Sequence, residues 1–326
     1  MKRTLILGGT AWLGRELAGQ LVQRGHEVTC LSRGSSGEVV DSERFVRSDR
    51  SQPGAYDEVR SEHFDEVIEL SFDQRFVQEA LAALSQNAGH WTLVSSISVY
   101  ANEQQPGADE EAEVHDPVDL SDYAHAKVAA ERVSTAIVGE RLLIARPGLI
   151  AGPADPSDRF SYWISRLALA GDGQVLVPRT KNRYVQVIDV RDLASWIIDG
   201  AERSLTGTFN IVGSSYSFDE FLHLSSTIAG SSGELVTADD AWLREREVNY
   251  WAGPRSLPLW IPTEDLGFAQ RSNQRYLDAN GLERALEALL SDVLADERAR
   301  GLRRTRRAGL SRSEEMQLLS ELVTGA

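Results

Sequence analysis

Three stretches of the 326-residue chain carry residue types whose spacing suits them to chemistry. The first, "LILGGTAWLGREL" at residues 5 to 17, is an apolar run that breaks at Gly8 and Gly9 and resumes as a helical pattern containing Gly14. Small residues there let a strand turn tightly into a helix whose N-terminus faces an anion. The second, "CLSRGSSGE", sets Ser32 and Arg33 at the end of another apolar run, with no carboxylate before Glu38. A guanidinium fork in that place can hold a phosphate through charge-assisted hydrogen bonds; a surface arginine in a loop is the plain alternative. The third is split between "LVSSISVY", with Ser95, Ser96 and Ser98, and "DLSDYAHAKVAAERV", with Tyr123 and Lys127 at i and i+4. That spacing puts the phenol and the ammonium on one face of a helix. Taken singly, each piece also fits a surface pair or a capping serine; their order behind a glycine turn joins them.

The elements that must position these residues alternate. "TLILG" (4–8), "EVTCLS" (27–32), "EVIEL" (66–70), "HWTLVSS" (90–96) and "RLLIARP" (141–147) read as strands buried on both faces, with helical repeats such as "WLGRELAGQLVQRG" and "QRFVQEALAALSQ" between several of them. Strand then helix, repeated, predicts a parallel sheet with right-handed crossovers. After Pro147, "GPADPSDRFSYWISRLALAG" reads as a loop entering a helix. "YVQVIDVRDLASWIIDGAE" and "GTFNIVG" then return to strand, helix and strand, and are expected to rejoin the sheet. From about residue 213 no sustained alternation is expected. The division is therefore 1–150 for a nucleotide-binding unit, rejoined by about 183–212, with 151–182 and 213–326 forming a smaller cap.

Composition narrows the partners. With 49 Asp and Glu against 34 Lys and Arg the net charge is −15, which repels a phosphate backbone and makes nucleic acid an unexpected partner. Cys30 is the only cysteine and the six histidines lack ligand spacing, so neither a disulfide nor a metal is expected. No apolar run is long enough for a membrane span and no signal-peptide pattern opens the chain, so a cytoplasmic location is expected. The seven arginines between Arg298 and Arg312 read as a solvated helix surface offsetting the acidic stretch before them, a phosphate-binding arm being the alternative.

Taken together, Gly8, Gly14, "VSSISVY", the Y-x-x-x-K of Tyr123 and Lys127, "RPGLIAGP" (146–153) and "VIDVRDLA" resemble the extended short-chain dehydrogenase/reductase family. The closer likeness is to its epimerase/dehydratase-like reductases, a branch whose relatives include chloroplast stem-loop RNA-binding proteins. The resemblance implies an α/β Rossmann fold, a doubly wound parallel sheet with a C-terminal substrate-binding cap. It implies that Gly8, Thr10, Ala11, Trp12, Leu13 and Gly14 surround a dinucleotide pyrophosphate, and that Asp49 contacts adenine, a plain turn aspartate being the alternative. Ser32 and Arg33, standing where an acidic residue would hold ribose hydroxyls, favour NADP(H) over NAD(H). Backbone at Pro147 to Leu149 would lie near the nicotinamide carboxamide. Tyr123 would be the general acid/base, Ser96 would bind the substrate oxygen, and Lys127 would bind the nicotinamide ribose. Lys127 would also favour the phenolate of Tyr123, whose ordinary pKa of about 10 is too high for a base near neutrality.

Two departures stand out: Ala11 replaces the middle glycine of the turn, and Ile97–Ser98 replace the acidic pair of nucleotide-sugar dehydratases. In "DPSDRFSYW", Arg159, Tyr162 and Trp163 are the candidate substrate contacts, core packing being the alternative for the two aromatics. Trp12 also fits a packing role against the sheet, and His125 is expected to face away from the catalytic pair. The leading expectation is an NADP(H)-dependent carbonyl reductase acting on a small molecule, as a monomer or homodimer. The alternatives are a nucleotide-sugar epimerase or dehydratase with bound NAD, and a non-catalytic nucleotide-sensing or RNA-binding relative.

Overall fold

The computed structural model describes residues 1–35, 37 and 44–324, so Glu38 lies outside the described residues. The first half runs β1 (Arg3–Leu7), α1 (Trp12–Gln23), β2 (Glu27–Ser32), β3 (Arg44–Arg47), β4 (Phe64–Glu69), α2 (Gln74–Leu84), β5 (Ala88–Val94), α3 (Tyr123–Val138) and β6 (Leu142–Pro147). It continues through β7 (Leu149–Ala151), α4 (Ser161–Ala170), β8 (Val175–Pro178), β9 (Tyr184–Asp189), α5 (Val190–Glu202) and β10 (Gly207–Ile211). Seven strands pair in the order β10-β6-β5-β4-β1-β2-β3, all parallel.

The alternation of side chains along each strand explains the two layers of helix. Leu5 and Leu7 of β1 point to the face covered by Val77, Leu81 and Ala130, whereas Ile6 points to the face covered by Leu17, Leu21, Leu193 and Ile197. Both faces are apolar because crossover helices cover both. Three helix starts are fixed by aspartates: Asp73 accepts from Arg75 N and Phe76 N, Asp122 from His125 N, and Asp189 from Arg191 N, each satisfying an N–H that the helix leaves open.

Beyond β6 the structure departs from the sequence reading in three places. Only β10 joins the central sheet; β9 pairs instead with β7 and with β11 (Ser215–Ser217), because Val185 and Val187 belong to the cap core. The alternation also continues past residue 213 in short pieces: α6 (Phe218–Ala229), β12 (Leu235–Ala238) paired with β8, α7 (Asp240–Glu245), and the β13 (Asn249–Trp251) and β14 (Ser256–Pro258) pair. Then come α8 (Gln274–Asp278), α9 (Leu286–Arg300) and α10 (Arg312–Thr324).

The arginine-rich segment, third, is not simply a solvated surface. Glu297 is fully buried and takes Arg300 Nη1, Arg304 Nη2 and Arg306 Nη2 at 3.1, 2.8 and 2.6 Å, while Asp158 accepts from Arg304 Nη2 and from Arg307 N. Two buried carboxylates require that company, since an unpaired charge away from water is costly.

Candidate active site

The turn after β1 is shaped for close backbone approach. Gly8 has φ +101°, a Cβ on Gly9 would lie 2.2 Å from Cys30 Sγ, and one on Gly14 would lie 2.6 Å from Gly8 O. Ala11 is the N-cap of α1 and gives it no side-chain bond, so the first-turn N–H groups have no side-chain cap from that position. Its methyl is exposed. Thr10 Oγ1 meets Ser32 Oγ at 2.8 Å, tying the turn to the end of β2.

A cleft of about 400 Å³ opens here, lined among others by Gly8, Thr10, Ala11, Ser32, Arg33 and Asp49. Arg33 stands exposed at its rim. Asp49 accepts from Ser51 N and Oγ at 3.0 and 2.8 Å; those bonds, and then the charge of Arg33, hold its carboxyl below the usual value. It is thus a turn aspartate that also faces the cleft. Sequence reading missed the neighbouring buried pair, in which Arg50 grips Glu69 through Nη1 and Nη2 at 2.8 and 2.5 Å. Sequence separation hides such a partner.

Two residues assigned to the turn also make packing contacts. Trp12 Nε1 donates to Pro153 O at 3.0 Å, so the indole reaches the loop after β7 rather than lying on the sheet. The Leu13 side chain packs against the sheet core.

The catalytic candidates meet at the C-terminal ends of β4 and β5. Ser96 caps a short 3₁₀ turn, Ile97–Val99, its Oγ accepting from Ser98 N at 3.1 Å and donating to Ser98 Oγ at 3.2 Å. Tyr123 opens α3 with 46% of its surface exposed and its ring edge-on to Phe72 at 5.4 Å between centroids. Loss of water holds the Tyr123 phenol above its ordinary pKa, while the Ser96 hydroxyl and then the Arg159 guanidinium draw it down.

Lys127 lies behind, its Nζ 6.0 Å from the Tyr123 ring centroid. That ammonium donates to Val94 O at 2.6 Å and Ser71 O at 3.2 Å, and burial lowers its pKa to about 8 against the opposing pull of Glu69 and Glu131. Arg159 is thus a cation that the sequence reading did not join to the phenol, beside the Lys127 expected to favour the phenolate.

Arg159 rests on the Trp251 ring, Cζ 5.1 Å from the centroid, and Trp251 meets Phe268 edge-on at 5.2 Å. Sequence reading gave no signal joining Trp251 to Arg159. Tyr162 and Trp163 do not line the cleft. They are 1% and 0% exposed in the cap core, with Trp163 Nε1 bound to Pro258 O, because α4 turns its aromatic face inward. Pro147 is buried at the end of β6, and Gly148 N donates to Ile211 O at 3.3 Å.

The Arg146 of "RPGLIAGP" is a strut. It binds Glu131 through Nε and Nη2 at 2.9 and 2.6 Å and Tyr100 Oη at 2.9 Å, and Tyr100 donates to Asn210 Oδ1, linking β6, α3 and β10. His125 turns away from Lys127, its Nδ1 accepting from Asp119 N and its ring beside His115. Among the described residues no group of three His, Cys, Asp or Glu is placed to hold a metal, and no helix is long and apolar enough to cross a membrane.

A seven-stranded parallel sheet with a glycine turn at its first strand-to-helix connection defines a Rossmann-type protein. Residues 4–212 match the model of the NAD dependent epimerase/dehydratase family, and the chain belongs to that family. It is similar to the chloroplast stem-loop binding protein of 41 kDa b of Arabidopsis thaliana, 27% identical over 233 residues. That match takes in 66% of this chain and spans 60% of the relative's length. Solved structures alike in fold include a candidate epimerase from Burkholderia cenocepacia (21% identity, TM-score 0.71, 91% of this chain and 98% of that one). Another is the UDP-glucose 4-epimerase of Thermus thermophilus in complex with NAD (19% identity, TM-score 0.65, 91% and 99%).

Proposed function

We propose that the protein is an NADP(H)-dependent carbonyl reductase of the extended short-chain dehydrogenase/reductase type, acting on a small molecule. The observation that carries this reading is the grouping of Ser96 after β5 with Tyr123 at the start of α3 and Lys127 one turn on, its Nζ 6.0 Å from the Tyr123 ring, beside a glycine turn that excludes side chains. Gly8, Thr10, Ala11 and Gly14 would hold the pyrophosphate, Ser32 and Arg33 the adenosine 2'-phosphate, and backbone near Pro147 the nicotinamide side. The bound dinucleotide supplies or accepts hydride. Tyr123 gives the proton to the carbonyl oxygen, and Ser96 orients that oxygen by hydrogen bonding. Lys127 is poised to exchange its bonds to the Ser71 and Val94 carbonyls for ribose hydroxyls. Arg159, a cation beside the phenol, favours a substrate carrying an anionic group near its carbonyl.

A second reading, a nucleotide-sugar epimerase, is favoured by the family match and by the named activity of the Thermus neighbour. Ser32–Arg33 at the end of β2, in place of a carboxylate, favours the first. The stem-loop binding named for the Arabidopsis relative sits poorly with a net charge of −15.

The fate of the hydride tests the assignment. Ketones, aldehydes and nucleotide sugars are screened with added NADPH at the nicotinamide absorbance, with product analysis. Consumption matching product one for one supports the reductase. Isomerised or dehydrated sugar without net consumption overturns it in favour of the epimerase or dehydratase.

A further inference from the structure

On the cap, remote in sequence from the glycine turn, a second cavity of about 370 Å³ is lined by six arginines: Arg166, Arg255, Arg303, Arg304, Arg306 and Arg312. One carboxylate, Glu314, shares the lining, and it is engaged by Ser311 N at 2.7 Å and Arg255 Nη1 at 3.4 Å. Beneath the lining, Glu297, Asp158 and Glu315 take Arg304, Arg306, Arg166 and Arg312. The arginines outnumber those acids, within a chain whose net charge is −15.

Not all the donors are used. Arg303 is exposed and makes no hydrogen bond or ion pair among the described residues. Arg166, 5% exposed, has its Nε buried without a partner, as does Arg304. A local excess of guanidinium in an acidic protein repels itself unless an anion sits among the charges. Guanidinium forks match the oxygens of phosphate in pairs.

We propose that this cavity is a binding site for a phosphate-bearing small molecule, separate from the nucleotide cleft, with Arg303 and Arg312 at its open side and Arg166 at its base. Its volume suits a small phosphate ester or diphosphate. A polynucleotide would have to lie along a surface whose net charge opposes it. The site adjoins α4 at Ser165, Arg166 and Leu169, the helix that follows Arg159, so an occupant would brace the element leading out of the catalytic cleft.

Calorimetric titration of the whole protein with sodium pyrophosphate at low salt tests this. Because the glycine turn can also take pyrophosphate, Arg303→Ala and Arg303→Lys are titrated beside the wild type, each with and without saturating nicotinamide dinucleotide to fill that turn. The expected result is a binding component that persists when the dinucleotide fills the glycine turn, that Arg303→Ala weakens about tenfold and that Arg303→Lys restores only in part. Arg303 is exposed and unpartnered, so its replacement leaves the fold intact, which the thermal midpoint checks. No binding up to about 10 mM, affinity equal in wild type and Arg303→Ala, or loss of all binding once the dinucleotide fills the glycine turn would each overturn the site. So would a single-stranded oligonucleotide that displaces pyrophosphate at lower concentration. Failure of the carbonyl reductase reading leaves these outcomes unaffected.

Discussion

The Lys127 ammonium stands 6.0 Å from the centre of the Tyr123 ring, held between the carbonyls of Ser71 and Val94. The helical spacing delivers the pair, but burial decides their ionisation, since the lysine loses water more completely than the phenol does.

Tyr123→Phe is expected to lower kcat at least a thousandfold with dinucleotide affinity nearly unchanged, because the phenol moves a proton and contributes little to cofactor binding. Stopped-flow turnover and cofactor titration separate the two. For Lys127, a free-enzyme pKa of about 8 means that its charge is present below that pH and lost above it. The kcat/KM profile should therefore fall as pH rises through about 8, and Lys127→Arg should move that limb upward. A flat profile would remove the charge of Lys127 from the mechanism.

Arg33 faces the cleft at the end of β2. NADPH should bind at least tenfold more tightly than NADH, as one charge-assisted phosphate contact contributes roughly 1.5 to 3 kcal/mol. Arg33→Ala should bring the two affinities together, as read by fluorescence titration. Unchanged preference in the variant would reassign Arg33 to the loop surface.

Arg159 lies on Trp251 and favours the phenolate of Tyr123. Arg159→Leu should raise KM for anionic carbonyl substrates about tenfold and push the phenol further up, displacing the alkaline limb of kcat; Arg159→Lys should restore part of both. Trp251→Leu should raise KM more mildly, through loss of the cation–π support. If neutral and anionic substrates lose equally, Arg159 has no part in substrate choice.

His90 joins β5 to Glu66 on β4 through a 2.5 Å contact at Nδ1, and its Nε2 meets Leu205 O at 2.8 Å. Burial opposes its charge, yet the bonds to Glu66 and Leu205 leave its pKa raised above 6.5. A raised histidine stabilises the fold fully below the unfolded value near 6.5 and loses that contribution as pH climbs through the folded value. Denaturant midpoints from pH 6 to 9 should decline on the alkaline side, and His90→Gln should flatten the decline. An unchanged slope in the variant would assign the dependence elsewhere.

Much of the candidate cleft is legible in the sequence because its parts are local: a glycine turn, an i, i+4 pair, serines after a strand. Arg159 was legible as a residue, though its partner Trp251, far along the chain, was not. The same limit explains Tyr162 and Trp163, aromatic and well placed in order, yet turned into the cap core by the helix face they occupy. β9 has the alternation of a sheet strand and pairs outside the main sheet, since periodicity specifies a strand and not its neighbour. The arginines of 298–312 looked solvated because Glu297 and Asp158, their buried partners, belong to different elements.

Strand β10 closes the edge of the central sheet against β6, although β7, α4, β8, β9 and α5 intervene in the chain. A ribosome adding about 5–20 residues per second completes β6 several seconds before β10 exists to cover it. During that interval Leu142 to Pro147 presents an unpaired apolar edge, the kind that seeks a strand from another chain. Slowing synthesis between these strands should therefore lower the yield of native protein, and a chaperone that shields strand edges should recover it.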